Sequence, residues 1–458
     1  QKTTLLCDET WDYRIGWPPI HKIRDQDALV FTVDYKNQRR KINIMKWDLK
    51  SNSGHRLLPE SIEETGKPWI CDEGIGQEIL LFQSFHEGFD NIYKLNLTTG
   101  DFRKVTALTK KAEHLSYCNT ADGKKAYALF EEEQNFKLRA HELDGTHKEF
   151  QLPYGGQILN TLNDFWILQS SGDHTRKIVQ YSEKDFNPLR TIELSDVPAK
   201  ELEHTVSEKI SYPSFDGLKI PGIWLAPKKP LKAAIIVSFY GGDRQYNKLF
   251  QMFAELGIGV LSPAVRGSWG WGRDWEYKLK GDLGGAEILD VLWGARFLEK
   301  SLGLPSQKIG LYGSSHGGYA TLRALTLPEN FRGVDSRYPF GFAIAEAGFA
   351  DLEVFFKDSR IADWLVNLLG PFEAELYRER SPSTYFENLQ TPLLVINGTH
   401  DSRVPFSTIS GFIDQLKQSD KKHRLMIHEG QGHHAGTRET MIADHFAMLE
   451  FLRDFALC

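Results

Sequence analysis

Cysteine is scarce in this chain: Cys7, Cys71, Cys118 and Cys458 are four residues in 458. They show neither CxxC nor Cys/His spacing, which argues against a zinc site or a thioredoxin-like redox motif and leaves one or two disulfides open. Also missing is any uninterrupted apolar run of about 18 residues, the length a membrane-spanning helix requires. The most apolar segments, such as Ala233 to Phe239, have strand length. No run of basic residues occurs and the formal net charge is −6, so the footprint needed to hold a phosphate backbone is lacking and nucleic acid is not expected as a partner. The first residue is Gln1 rather than Met, and export to a periplasm or the exterior is expected ahead of a cytoplasmic location.

What is there is ordinary globular composition, with 41% hydrophobic and 25% charged residues, which excludes disorder, collagen-like repeats and coiled coils. The length exceeds a typical domain of about 100 to 200 residues, so two domains are expected.

From about residue 20 to 200 the sequence reads as short strands with polar turns. Ala28 to Lys50, Glu78 to Gly100, Lys125 to Gly145 and Asp164 to Lys184 share one layout. Each opens with an apolar run (ALVFTV, EILLFQ, KAYALF, DFWILQ), passes a turn and resumes with alternating residues such as IYKLNL. The starts recur at roughly 40 to 50 residues, the period of four-stranded propeller blades that must stack to bury their faces. Four or five blades fit, with an irregular β-sandwich as the alternative.

After a polar connector at Leu194 to Glu203 the pattern changes to apolar strands alternating with helical stretches, predicting βαβ units and a mostly parallel, doubly wound sheet over 204–458. The strands are expected at Ala233 to Phe239, Gly259 to Ser262, Lys308 to Tyr312, Phe342 to Glu346 and Pro392 to Asn397. Helices are expected at Gly285 to Lys300, Gly317 to Leu327, Ser407 to Gln418 and Arg438 to Phe455.

Gly313-Ser314-Ser315-His316-Gly317 lies between one of these strands and a helix, the context of a nucleophile elbow. Ser315 is the central serine. Flanking glycines permit the sharp turn, and the next N–H groups fall at a helix N-terminus, where an anion is stabilised. A serine hydroxyl is a poor nucleophile at neutral pH and needs a base held by a third group. The strand TPLLVINGTH runs into Asp401 at the C-terminal sheet edge, where α/β folds collect their chemistry. Further on, GQGHHAG offers His433 and His434 as adjacent candidate bases. His428 and His400 read as strand-end or surface histidines. No helical carboxylate and histidine motif accompanies them, so neither a metal nor another cofactor is implied.

Taken together, SYPSFDGLKIPGIWLAP, Tyr240-Gly241-Gly242, Arg266-Gly267-Ser268 with WGWGRDW, GSSHGGY, SPSTYFENLQTPLLVINGTHDSRVP and GQGHHAG resemble the prolyl oligopeptidase family of serine peptidases. Members join an N-terminal β-propeller to an α/β-hydrolase domain. The resemblance implies a propeller-like domain over 1–203, about half the length of the propellers common in the family, and an α/β-hydrolase catalytic domain over 204–458. It also implies His433 rather than His434 as the base, and Ser315, Asp401 and His433 as the triad. The Tyr240 hydroxyl and the His316 N–H would stabilise the oxyanion, and Arg266 would tie loops around the site. Trp269, Trp271 and Tyr319 are expected to line the substrate pocket, with packing of the domain interface as the equal alternative for the two tryptophans. Glu131, Glu132 and Glu133 read as a solvated turn, with capture of a peptide amino group as the alternative.

The expected function is hydrolysis of short peptides through an acyl-enzyme on Ser315, because a propeller over the site would exclude folded proteins. A carboxylesterase needs the same triad and is the near alternative for a small ester substrate. A propeller-based binding protein with an inactive hydrolase domain is the alternative from another class. The sequence leaves residue specificity and oligomeric state open.

Overall fold

Alternating apolar and polar side chains pair short segments of the N-terminal half into antiparallel sheets. The computed structural model describes residues 184–457 apart from 243 and 435, and before them 13–15, 21–22, 27–35, 38–58, 69–72, 78–84, 87–89, 91–97, 99–109, 113–119, 125–132, 135–159 and 165–182. The disulfide reading and Glu133 lie outside the described residues. Two units divide the chain: Gln1–Ser171, Arg176–Asp196 and Gly270–Asp274 form one, and Gly172–Thr175, Val197–Trp269 and Trp275–Cys458 the other.

In the first unit the described residues form four sheets. The first places Tyr13–Ile15 and His21–Lys22 against Ala28–Tyr35, followed by Gln38–Asp48 and Ser53–Arg56. The second is Trp69–Asp72, Glu78–Ser84, Asn91–Asn96 and Phe102–Lys104; the third is Glu113–Asn119, Lys125–Glu132, Asn135–Glu142 and His147–Leu152; the fourth is Gly156–Leu159, Phe165–Ser171, His174–Tyr181 and Pro188–Glu193. Each repeat read from the sequence supplies the two middle strands of one sheet.

Consecutive sheets bury their faces against each other, as propeller blades do. Val30 and Ile44 pack with Leu80, Phe82 and Tyr93; Ile79, Leu81 and Ile92 with Ala126; and Tyr127, Leu129 and Leu138 with Phe165, Ile167 and Val179. Each such large apolar side chain contributes about 1.5 to 3 kcal/mol by leaving water. Glu131 is fully buried at the end of its strand, and Glu132 pairs with Lys137 at 2.8 Å. The solvated-turn reading therefore does not describe Glu131, whose side chain faces the interior.

The second unit is built on one eight-stranded sheet in the order Thr205–Pro213, Lys219–Pro227, Ile258–Pro263, Ala233–Val237, Ile309–Ser314, Phe342–Glu346, Leu393–Gly398, His423–His428. The first two strands are antiparallel and the remaining six run parallel. Alternation sends Ala234, Ile236, Leu311, Ala343 and Val395 to one face and Ala233, Ile235, Ile258, Val260, Ile344 and Ile396 to the other. The helix Ala286–Leu302 supplies Ile288, Leu289 and Leu292 to the first core, and Arg438–Phe455 supplies Met448, Phe451 and Leu452 to the second. This is a doubly wound α/β-hydrolase sheet. The strand order reverses at Ala233–Val237, and such a switch point opens a crevice at the C-terminal strand ends. Among the described residues no helix is long and apolar enough to cross a membrane.

Candidate active site

The strand Ile309–Ser314 ends at the crevice and the helix His316–Thr326 begins one residue later, leaving Ser315 alone in the turn. Its backbone is left-handed, with φ 59° and ψ −119°, a conformation an L-residue adopts only when its surroundings enforce it. The Ser315 N–H donates to Glu346 O at 2.9 Å and the Ser315 carbonyl accepts from the Tyr319 N–H at 3.0 Å. Two glycines make this geometry possible. A Cβ on Gly313 would stand 2.1 Å from Gly317 O, and one on Gly318 would stand 2.6 Å from Glu346 O.

Asp401 follows the strand Leu393–Gly398 and is almost wholly buried. Its Oδ1 accepts the N–H groups of Arg403 at 2.8 Å and Val404 at 2.9 Å, which fixes the carboxylate plane. Its Oδ2 lies 2.5 Å from His433 Nδ1, and His433 Nε2 lies 2.9 Å from Ser315 Oγ. With the Nδ1 proton directed at Asp401, Nε2 is left as the acceptor for the serine proton. Burial opposes ionisation of Asp401, but the hydrogen bonds from His433, Val404 and Arg403, with the His433 charge, outweigh it and hold the carboxyl below its ordinary range. Three side chains from distant parts of the sequence thus form one hydrogen-bonded line.

His434 is exposed, its ring 4.6 Å from that of His433, while the bonds to Ser315 and Asp401 are made by His433. Partial desolvation of the ring by its neighbours, followed by the nearby His433 charge, lowers the His434 pKa. His400 is exposed beside Thr399. His428 is not a bare strand end: its Nε2 lies 2.5 Å from the buried Asp444.

Tyr240 follows the strand at the switch point with φ 62°, and 45% of it is exposed. Its ring stands 5.9 Å from that of His316 and 5.6 Å from Trp269. His316 opens the helix after Ser315, so its N–H belongs to the first turn, where amides lack intrahelical acceptors. The His316 side chain is buried against Phe239 at 3.8 Å and Trp364 at 5.1 Å, and its Nε2 has no hydrogen-bond partner. Burial lowers its pKa to about 3, so the ring is neutral.

The residues expected around the substrate separate. Trp269 is 59% exposed next to Tyr240. Trp271 falls in the Gly270–Asp274 segment of the first unit. Tyr319 instead occupies the core: it is fully buried, stacked on Phe349 at 4.7 Å, and its hydroxyl donates to Arg380 O at 2.9 Å. One turn after the elbow, its side chain points inward because the helix presents that face to the core. Trp364, which the sequence did not single out, stands by His316 instead; only the apolar stretch WLVNLL marked its helix Ala362–Leu369.

Arg266 holds the loops by two forks, to Asp290 at 2.9 and 2.7 Å and to Asp216 at 3.0 and 3.1 Å, the planar donor set that lysine lacks. Among the described residues no group of three or more His, Cys, Asp or Glu side chains is placed to hold a metal ion.

Comparison with known proteins places this architecture. Residues 244–456 match the model of the prolyl oligopeptidase family. An uncharacterised peptidase of Bacillus subtilis, YuxL, is 26% identical over 243 residues, 50% of this chain and 36% of that protein. The human acylamino-acid-releasing enzyme is 26% identical over 238 residues, 48% of this chain and 31% of that enzyme. The matched segments span about a third of those relatives. Among solved structures, a puromycin-hydrolysing peptidase of Mycobacterium tuberculosis superposes with a TM-score of 0.80 at 18% identity, covering 96% of this chain and 70% of that one. The acylaminoacyl peptidase of Pyrococcus horikoshii gives 0.72 at 19%, covering 94% and 69%. At such identities the superpositions establish the fold alone. The part of the chain that carries Ser315, Asp401 and His433 belongs to the prolyl oligopeptidase family.

Proposed function

We propose that the chain is a serine peptidase that hydrolyses short peptides through an acyl-enzyme on Ser315. The observation that carries this reading is the hydrogen-bonded line from Asp401 through both nitrogens of His433 to Ser315 Oγ. Ser315 Oγ attacks the peptide carbonyl carbon as His433 Nε2 takes its proton. Asp401 holds the ring in the tautomer that leaves Nε2 free to accept and stabilises the imidazolium that results. Collapse of the tetrahedral intermediate expels the amine, which leaves with the proton from His433. Water then repeats the sequence on the acyl-enzyme and restores Ser315.

The oxyanion forms beside the His316 N–H and the Tyr240 hydroxyl. Losing one donor of this kind costs on the order of 100-fold or more in rate. The neutral ring of His316 and the aromatic side chains of Phe239, Tyr240, Trp269 and Trp364 around it suit an apolar substrate side chain. The names of the relatives, all peptidases or releasing enzymes of acylated amino acids, support an amide as the bond cleaved.

The test is kcat/KM for aminoacyl, N-acylaminoacyl, dipeptidyl and blocked prolyl amides beside short-chain acyl esters, with Ser315→Ala as control. Amide cleavage lost in Ser315→Ala supports the peptidase. Ester turnover with negligible amide turnover transfers the assignment to a carboxylesterase.

A further inference from the structure

The strands Ile309–Ser314 and Phe342–Glu346 are paired with Ser314 opposite Glu346, so Glu346 emerges at the sheet edge that carries the nucleophile. It is bound there twice. Its carbonyl accepts the Ser315 N–H at 2.9 Å, and its carboxylate accepts the hydroxyl of Tyr312, on the strand leading into the turn, at 2.8 Å.

The groups whose charges or dipoles act on this carboxylate come from four elements. Tyr312 and Ser314 lie on the neighbouring strand, Asp444 on the C-terminal helix and His433 on its loop; His428, at the end of the last strand, faces it only through its bond to Asp444. Tyr312 is partly buried against the core, and desolvation together with the Glu346 charge keeps its hydroxyl protonated as a donor. Burial raises the Glu346 carboxyl above its ordinary range; the Tyr312 hydrogen bond opposes this, Asp444 adds to it, and Ser314 and the charge of His433 oppose it again. Ionised Glu346 and cationic His433 therefore favour each other. The charge on His433 is the one that develops as Ser315 loses its proton.

We propose that Glu346 is a positioning residue whose carboxylate stabilises the His433 imidazolium while its carbonyl fixes the left-handed turn presenting the Ser315 hydroxyl. The inference rests on the triad reading above. In the step concerned the Ser315 O–H bond breaks, Oγ bonds to the acyl carbon and Nε2 takes the proton; Glu346 neither gives nor receives one. Its carboxylate acts from the Tyr312 side of the site, and Asp401 from the Nδ1 side of the ring.

The test is the pH dependence of labelling by a fluorophosphonate, a probe that requires the serine and its base but no particular peptide. Glu346→Gln keeps the shape and the acceptor for the Tyr312 hydroxyl and removes only the charge. Labelling at pH 7 is expected to slow by about fivefold, with the acid limb of the profile moved by about half a unit to lower pH. Tyr312→Phe leaves the residue at 346 unchanged but withdraws the hydroxyl that favours its ionised form, so it moves the limb the same way by less. This second variant decides the matter where Glu346→Gln does not fold. Acid limbs that superimpose on that of the wild type would overturn the inference, because a merely structural role changes amplitude and not position. Absence of labelling in the wild type would overturn the triad, and this inference with it.

Discussion

The Nδ1 atom of His433 lies 2.5 Å from Asp401 Oδ2 while Nε2 of the same ring lies 2.9 Å from Ser315 Oγ. Asp401 is itself fixed by the amides of Arg403 and Val404, so the ring cannot turn without breaking bonds on both sides. Asp401→Asn is expected to lower kcat by about 10³-fold or more with a small change in KM, because an amide at this position favours the wrong imidazole tautomer. Steady-state kinetics with a turned-over amide or ester checks this; a loss smaller than tenfold would detach Asp401 from the mechanism.

Asp401 also gives stability a pH dependence. Its carboxyl is held below the ordinary range in the folded chain. A depressed carboxylate contributes stability that is present above its unfolded pKa and is lost as pH falls through the folded value. The contribution is therefore complete above about pH 4 and declines below it. Thermal melts of wild type and Asp401→Asn between pH 6 and pH 3 should converge as the pH falls; a constant gap would contradict the assignment.

Tyr240 tests the oxyanion site. Tyr240→Phe keeps the ring beside Trp269 and His316 and removes only the hydroxyl. A loss in kcat of about 10²-fold with nearly unchanged KM is expected from a donor used in the transition state. An equal rise in KM with kcat preserved would place the hydroxyl on the ground-state substrate instead.

Arg266 is a matter of stability rather than chemistry. Arg266→Met would leave the fully buried Asp290 without its fork, a loss of about 3 to 5 kcal/mol, whereas Arg266→Met combined with Asp290→Leu should recover much of it. Denaturant unfolding of the single and double variants reads the difference. Equal destabilisation by both would contradict the ion-pair explanation.

The sequence revealed those parts whose burial is written into local pattern. The middle strands of the four sheets, such as Lys125–Glu132, are nearly all buried and read as apolar runs. Outer strands such as Ser53–Arg56 and Pro188–Glu193 are mostly exposed and show no period, so propensity alone could not mark them. The helices Ser407–Gln418 and Arg438–Phe455 have the ends read from their periodicity. The short helices Leu352–Asp358, Ala362–Leu369 and Ala374–Arg380 were missed. Each is too brief to establish a period, and its burial depends on its neighbours.

Around the candidate site, Ser315 and Asp401 were legible because each sits at a strand end with glycine or turn chemistry beside it, whereas the GQGHHAG loop offered both His433 and His434 and the family resemblance chose between them. Tyr319, which ends the GSSHGGY motif, was expected in the substrate pocket, and the helix turned it into the core. Tyr312 and Glu346 were read only as strand ends and His428 as a strand-end or surface histidine, and nothing marked Asp444, since sheet register and helix docking bring the four together from separate segments.

The most direct test of the central claim is mass spectrometry of the protein after exposure to a fluorophosphonate. The account requires one adduct, on the peptide containing Ser315, formed slowly in His433→Ala and not at all in Ser315→Ala. No adduct, or an adduct on another residue with Ser315 unmodified, would contradict it.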